Sequence, residues 1–440
     1  MTQLRPTRRA IVASAVMALS AGRSFAAAGG GEEARFIDWA QGAAKPLDND
    51  RLLAGVSGAR LVALGEFTHG AHEPLALRNR LIGLLAQRGM IGAVALESGF
   101  IEGRRLNAYV MGGPGDAATV ARRFLTWGFG HFAENVELLE QLRRFNARPG
   151  VSKVSLFGMD MPGGDDRTMG DGAIAVSDAI AYLTTAATPG ASQLVASLRP
   201  FSHDLSCAGY FARTPAEREA LGEAAARLVG YIGANRDALI NASSAEETAW
   251  AEQGAHLFRR LVAMFQAWPS DNVAGETPNG MFPPSQIRDK AMADNALWLL
   301  DRLAPSRGML VFAANGHVWP QPSLEPMYPG FPGPLTNLGQ YLKARLGAGM
   351  KVIVTGAGAK PPGAGGKPNS ADTLAGALAR VGPDAFMLDV CNAPSPSWID
   401  RPHDFGDNMG APYVMRPRKA FDVVAFFPRT SRAIAASQVG

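Results

Sequence analysis

The chain reads as an α/β protein: a mainly parallel central sheet flanked by helices, with a helical insertion subdomain. Three observations predict this. Seven short runs rich in apolar and β-branched residues recur along the sequence, and helical patterns separate most of them. Between about 167 and 270 the strand-like runs stop, and alanine-rich amphipathic stretches follow one another. Alternating strands and helices favour a parallel sheet covered on both faces, and the uninterrupted helical stretch favours a subdomain packed beside it.

Taken in order, the strand-like runs lie at 61–64, 91–96, 154–157, 309–313, 352–355, 386–390 and 423–427. Helical periodicity covers 75–88, 133–147, 286–303, 337–346 and 371–381, and in the insertion 173–187, 190–199, 214–234 and 244–267. Loops rich in Gly and Pro stand at 269–285, 319–336 and 356–370. A chain of 440 residues, 47% apolar and 19% charged, can bury a large core. By the prior of roughly 100–200 residues per domain it forms one large domain or two to three smaller ones.

The first thirty residues, "MTQLRPTRRAIVASAVMALSAGRSFAAAGG", are set apart from the fold. A basic start, an apolar stretch over 10–21 and small residues at 26–28 have the layout of a cleaved export signal, too short for a membrane span. Arg8 and Arg9 after Thr7 resemble the twin-arginine form. Residues 1–26 are therefore expected to be removed, leaving 27–440 as the mature chain in the periplasm or outside the cell. Removal takes away four arginines and no acid, which brings the net charge of +4 to zero. The basic character belongs to the leader, so no nucleic-acid partner follows from it. No later stretch approaches 18 unbroken apolar residues, and no membrane span is expected in the mature protein. Cys207 and Cys391 are the only cysteines; their spacing fits no metal motif, and a disulfide between them is one reading in an oxidising compartment.

Ligands of open α/β sheets bind outside the carboxyl ends of the strands, so polar residues there carry weight. The first run empties into "GEFTHGAHE", which places Glu66, His69, His72 and Glu73 within eight residues. The second, "IGAVALES", ends in Glu97, and "GMLVFAANGHV" ends in Asn315 and His317. Two carboxylates and two imidazoles at matching strand ends are a functional cluster rather than a packing pattern. Arg78, in the helix after His69, leans back to this site or faces water. Arg288 opens a helix whose Met292, Asn295 and Leu299 share one face, and an arginine beside carboxylates binds a developing oxyanion or lowers a carboxylate pKa.

No G-x-S-x-G elbow, S-x-x-K, H-E-x-x-H or reactive-cysteine context is present. The residues suit a water activated by a general base, with His69 as that base and Glu66 or Glu97 setting its tautomer. Asp160 stands at the end of "VSLFG", where a cap is an equal reading. His131, Glu134 and Trp127 are lesser cleft candidates. His203, His256 and His403 read as surface or core residues. Trp319, Tyr328 and Phe331 follow His317 in a proline-rich loop, where they form either a hydrophobic wall for substrate or internal packing.

These residues carry a resemblance. "GEFTHGAHE", "LRNRL", "VALESGF", "LNAYVMGG", "FLTWGF", "LLEQLRRFN", "FGMDM", "RDKAMADN" and "NGHV" occur in the order seen in the erythromycin esterase family. "NLGQYLKARLG" and "AFDVVAFFPRTS" extend the similarity over about 60–430. The resemblance implies an α/β core with a helical subdomain. It also implies hydrolysis of a macrocyclic lactone ester by water that the first motif's histidine activates, with no cofactor or metal. Carried over by motif, that histidine is His69, with Glu66, Arg78, Glu97, Arg288 and His317 around it, and a small-molecule ester as partner. His72, Trp127, Trp319 and Phe331 are the expected substrate contacts, and the 319–335 segment is expected to set specificity. Two positions depart from the pattern: Ala314 stands where family members often carry a histidine, and His72 where another residue is expected. Two alternatives stay open. One is a periplasmic metal- or cofactor-binding protein that uses Glu66, His69, His72, Glu97 and His317. The other is an esterase of envelope polysaccharide acyl groups.

Overall fold

A computed structural model describes residues 30–162, 172–273, 279–326, 330–361, 369–406 and 412–438. The expected export signal lies outside them. Ten strands are present among the described residues: β1 (Lys45–Pro46), β2 (Leu61–Glu66), β3 (Ile91–Gly99), β4 (Ser155–Asp160), β5 (Gly308–Ala314), β6 (Met350–Ala357), β7 (Phe386–Asp389), β8 (His403–Asp404), β9 (Val414–Met415) and β10 (Val423–Phe427). Eight form one sheet in the order β1-β7-β10-β6-β2-β5-β3-β4, and β8 pairs with β9 in a separate ribbon. The six strands from β10 to β4 are parallel, and β7 and β1 close one edge antiparallel. The fold is α/β with a mainly parallel sheet, as the alternation of runs predicts.

The strand sequences explain how the two faces differ. Side chains alternate across the sheet, so each strand contributes to two cores. One face presents Ala63, Ala93, Ala95, Val311 and Ala313, and on it pack the helical stretch, with its own Leu228, Phe258 and Leu261, and Leu299 of the helix Phe282–Leu303. The other presents Val62, Leu64, Leu96, Leu310 and Phe312 against the helices His72–Gln87 and Ala133–Asn146. Small residues on the first face leave room for helix backbones to come close, and larger ones fill the second. Helices Ala173–Ala186, Ala191–Leu198, Pro215–Ala234 and Ala245–Ala267 follow one another with no strand between them, and they share the sheet's core. The helix Phe282–Leu303 begins earlier than its periodicity suggests, with prolines in its first turn. The expected helix at 371–381 shortens to Leu374–Leu378. Cys207 is buried, Cys391 is exposed, and both are free thiols.

One local irregularity positions the site. Leu96 pairs with Gly158 and Gly99 with Asp160, so β3 spends three steps where β4 spends two, which makes a bulge at Glu97 and Ser98. Thr126 secures it: its N–H donates to Ser98 Oγ at 3.0 Å, and its Oγ1 accepts from Gly99 N at 3.0 Å. A Cβ on Gly158 would lie 2.2 Å from the carbonyl oxygens of both Ser98 and Gly99, so the bulge requires glycine opposite it. Gly158→Ala should cost about 1–3 kcal/mol in urea unfolding, the usual scale of overpacking. It should also lower activity beyond what stability explains, because the clash falls on the segment carrying Glu97. Gly230→Ala, on the exposed side of the Pro215–Ala234 helix with nothing within 4 Å, is the control and should stabilise by up to about 1 kcal/mol.

Candidate active site

β5 enters the sheet between β2 and β3, so the carboxyl ends of these three strands lie side by side. Glu66 is in register with Ala314, and the Ala314 N–H donates to Glu97 Oε2 at 2.7 Å. The chain leaves β2 through a turn tied to β6: Phe67 N donates to Thr355 Oγ1, and that hydroxyl donates to the Gly65 carbonyl. His69 sits on this turn. Its Nδ1 is 2.6 Å from Glu66 Oε1, and its ring meets Phe129 edge-on with centroids 5.0 Å apart. Burial opposes a charge on His69, but the charge and hydrogen bond of Glu66, with Glu97 beyond, leave its pKa above the ordinary 6.5.

A second cluster surrounds Glu97. Arg288 Nη2 donates to Glu97 Oε1 at 2.8 Å, and His317 Nε2 is 3.3 Å from the same oxygen. Arg288 also donates from Nε and Nη2 to Asp160, which is wholly buried at the end of β4. His317 Nδ1 is 2.8 Å from Asp289 Oδ1, an oxygen that also accepts from Leu338 N. Burial raises the cost of each charge, and the partners repay it. His317, His69 and Arg288 hold Glu97 well below the carboxylate range, and Asp289 and Glu97 push His317 up to about 10. His317 is therefore an imidazolium at neutral pH, beside an arginine whose pKa is raised further.

The other expected residues fall in different places. Arg78 does not face water but leans back to the site, lining one cavity with Glu66 and Glu97. It is buried over the Phe312 ring, donates to Asn79 Oδ1, and feels the charges of Glu66 and Glu134. Burial lowers its pKa to about 10, which still leaves it cationic at neutral pH. His72 pairs through Nδ1 with Glu134 Oε1 at 2.6 Å, away from Glu66. Trp127 has a left-handed backbone (φ 66), stacks over the Arg288 guanidinium at 5.1 Å and donates from Nε1 to Asp160. Trp319 corrects an expectation: its ring is fully buried against Tyr413 and Phe405, so it cannot form a substrate wall. Phe331 is also largely buried, edge-on to Phe282, and Tyr328 lies outside the described residues. Asp289 was missed; its only signal was its place beside Arg288. Asp160, weighed against a capping role, proves to be the main partner of Arg288.

Chemically, the site offers an imidazole oriented by a carboxylate and, across Glu97, two fixed cations. Among the described residues, no nucleophilic side chain is set up here. Ser98 is buried and bonded to Thr126, and burial pushes the Cys207 thiol up to about 12. Among the described residues, no group of three or more His, Cys, Asp and Glu side chains is placed to hold a metal ion. None of the described helices is long and apolar enough to cross a membrane.

Comparison with known proteins agrees with this architecture. Three solved structures superpose over most of the chain. A Bacillus cereus protein is 22% identical, with a TM-score of 0.73, covering 91% of this chain and 98% of that one. A succinoglycan biosynthesis protein is 19% identical, with a TM-score of 0.72 and coverage of 92% and 99%. An erythromycin esterase mutant in its open conformation is 19% identical, with a TM-score of 0.66 and coverage of 88% and 94%. At these identities the likeness establishes the fold. The family is established by sequence, since the erythromycin esterase model matches residues 91–430, well over half the chain. The chain belongs to the erythromycin esterase family and is a hydrolase of the esterase type.

Proposed function

We propose that the protein cleaves a carboxylic ester by direct attack of water, with His69 as general base. The His69–Glu66 pair carries this reading. Nδ1 is committed to the carboxylate at 2.6 Å, so Nε2 is the ring nitrogen left to take a proton from water. Water attack on the carbonyl carbon moves negative charge onto the carbonyl oxygen. Arg288 and the protonated His317 place positive charge beside it, already held in place around Glu97. The proton held by His69 then passes to the departing alkoxide, giving an acid and an alcohol. Trp127 lies against the Arg288 guanidinium and is the proposed substrate contact; His72 is taken up by Glu134, and the burial of Trp319 removes it from that role.

For the substrate, the family name favours a macrocyclic lactone such as a macrolide. Ala314 stands where relatives often place a histidine, and the leader has the layout of an export signal. Both favour a second reading, an acyl ester on an envelope polysaccharide met in the periplasm. A panel of purified macrolides and acylated oligosaccharides separates them: release of acid from only one class decides the substrate, and release from neither rejects both readings.

His69→Ala should lower turnover by roughly 10²–10⁴-fold, the usual worth of a positioned acid–base group. Near-wild-type turnover would remove His69 from the role. The pH profile is a second check. His69 accepts a proton only when neutral, so kcat/KM should rise with pH through a pKa above 6.5. His317 carries its positive charge only while protonated, so kcat/KM should fall again as pH passes about 10. Glu66→Gln removes the charge that raises His69 and should shift the acidic limb to lower pH. A wild-type limb at or below 6.5, or one unmoved by Glu66→Gln, contradicts the assignment.

A further inference from the structure

The turn that carries His69 is held by a part of the chain more than 350 residues away. After β10 the backbone returns across this end of the sheet. His72 N donates to the Ser431 carbonyl at 3.0 Å, and Ala433 N donates to the Gly70 carbonyl at 2.8 Å. On its other side, Ala133 N donates to the Ile434 carbonyl at 2.8 Å. Antiparallel bridges join Ala71 to Arg432 and Phe132 to Ala435. Residues 431–435 thus lie between two turns, one bearing His69 and the other Phe129, whose rings touch edge-on.

Glu134 stands at the junction of these pieces. It is 2% exposed, and its Oε1 takes both His72 Nδ1 at 2.6 Å and the Ile434 N–H at 3.1 Å. Its backbone carbonyl accepts from Asn79 Nδ2 at 2.7 Å, and its charge acts on the buried Arg78 that also faces Glu66. One carboxylate therefore joins the start of the His72–Gln87 helix, the start of its own helix and the 431–435 segment.

We propose that Glu134 is a positioning residue for His69, acting through His72 and through the 431–435 segment that it clamps between the two turns. This rests on the reading of His69 as the base. The physical argument is one of constraint. A short turn held only by its own backbone samples several geometries, and a displacement of about 1 Å at a reacting group costs up to about 10²-fold in rate. Hydrogen bonds to a buried carboxylate are stronger than neutral ones, and breaking them leaves donors unsatisfied. The clamp concentrates such bonds next to the base without placing Glu134 on the substrate.

The test uses the full-length enzyme. Glu134→Leu removes the acceptor at similar volume, and it should lower kcat by about 10–100-fold while KM stays within about threefold. Glu134→Gln keeps an acceptor oxygen for Ile434 and should recover most of kcat. Because Glu134→Leu risks misfolding, Ile434→Pro gives a second route: it deletes the single N–H donor, and the Ile434 side chain is 43% exposed, so Ile434→Ala is a silent control. Hydrogen exchange should accelerate at 68–72 and 129–133 in Glu134→Leu and in Ile434→Pro more than elsewhere in the chain. Unchanged kcat in both variants, or no rescue by Gln, overturns the proposal. If His69→Ala stays active, the base assignment fails on its own account. Exchange at 68–72 still reports the clamp in that case, since it does not depend on which group is the base.

Discussion

Glu97 is a carboxylate buried at the end of a central strand, and its ion pair with Arg288 is the contact on which the site depends. A buried charge is tolerated only when it is paired and hydrogen-bonded, and breaking such a pair from one side costs about 3–5 kcal/mol. Here the requirement is met by groups from distant parts of the chain. Arg288 comes from the Phe282–Leu303 helix, Asp160 from β4, His317 from just after β5, and the Ala314 N–H from β5 itself. Each contact orients a second group: Asp160 orders Arg288, Trp127 lies over its guanidinium, and Asp289 fixes the His317 ring. The pair thus joins the helix-covered face of the sheet to the strand ends.

The two imidazoles show how environment divides roles among identical groups. His317 has a carboxylate on each ring nitrogen, so it is held as a cation well above neutral pH. His69 has one directly bonded carboxylate and partial exposure, so its shift is smaller and its second nitrogen is left to exchange protons with water. One site therefore contains a fixed charge and the imidazole proposed as its base, separated by the number of acids around each ring. Glu66 and Glu134 repeat the same His–Glu pairing, and the charges of both act on the buried Arg78.

The tryptophans divide in a similar way. Trp127 and Trp319 both read from the sequence as candidate cleft residues. Trp127 is turned by a left-handed backbone onto the guanidinium of Arg288, where its indole N–H finds Asp160. Trp319 instead closes the core between the sheet and the β8–β9 region, against Phe405 and Tyr413. An indole is large enough to serve either purpose, and the neighbours that select one are remote in sequence.

The sequence by itself determined the parallel sheet, because strands buried on both faces must be written as continuous apolar runs, and these were legible at all six parallel positions. It also determined that Glu66, Glu97 and His317 lie at the same end, since carboxyl ends of parallel strands point one way. The tertiary structure decided what those residues do. Placing β5 between β2 and β3 brought Ala314 against Glu97, and the β3 bulge aimed that carboxylate at Arg288. Asp160, Asp289 and Glu134 acquired their partners, and Trp319 its burial, from contacts across 28 or more residues. Local periodicity records which face of an element is apolar. It carries no record of which distant chain will supply the charge or the ring on the other side, and that is set only when the whole chain packs.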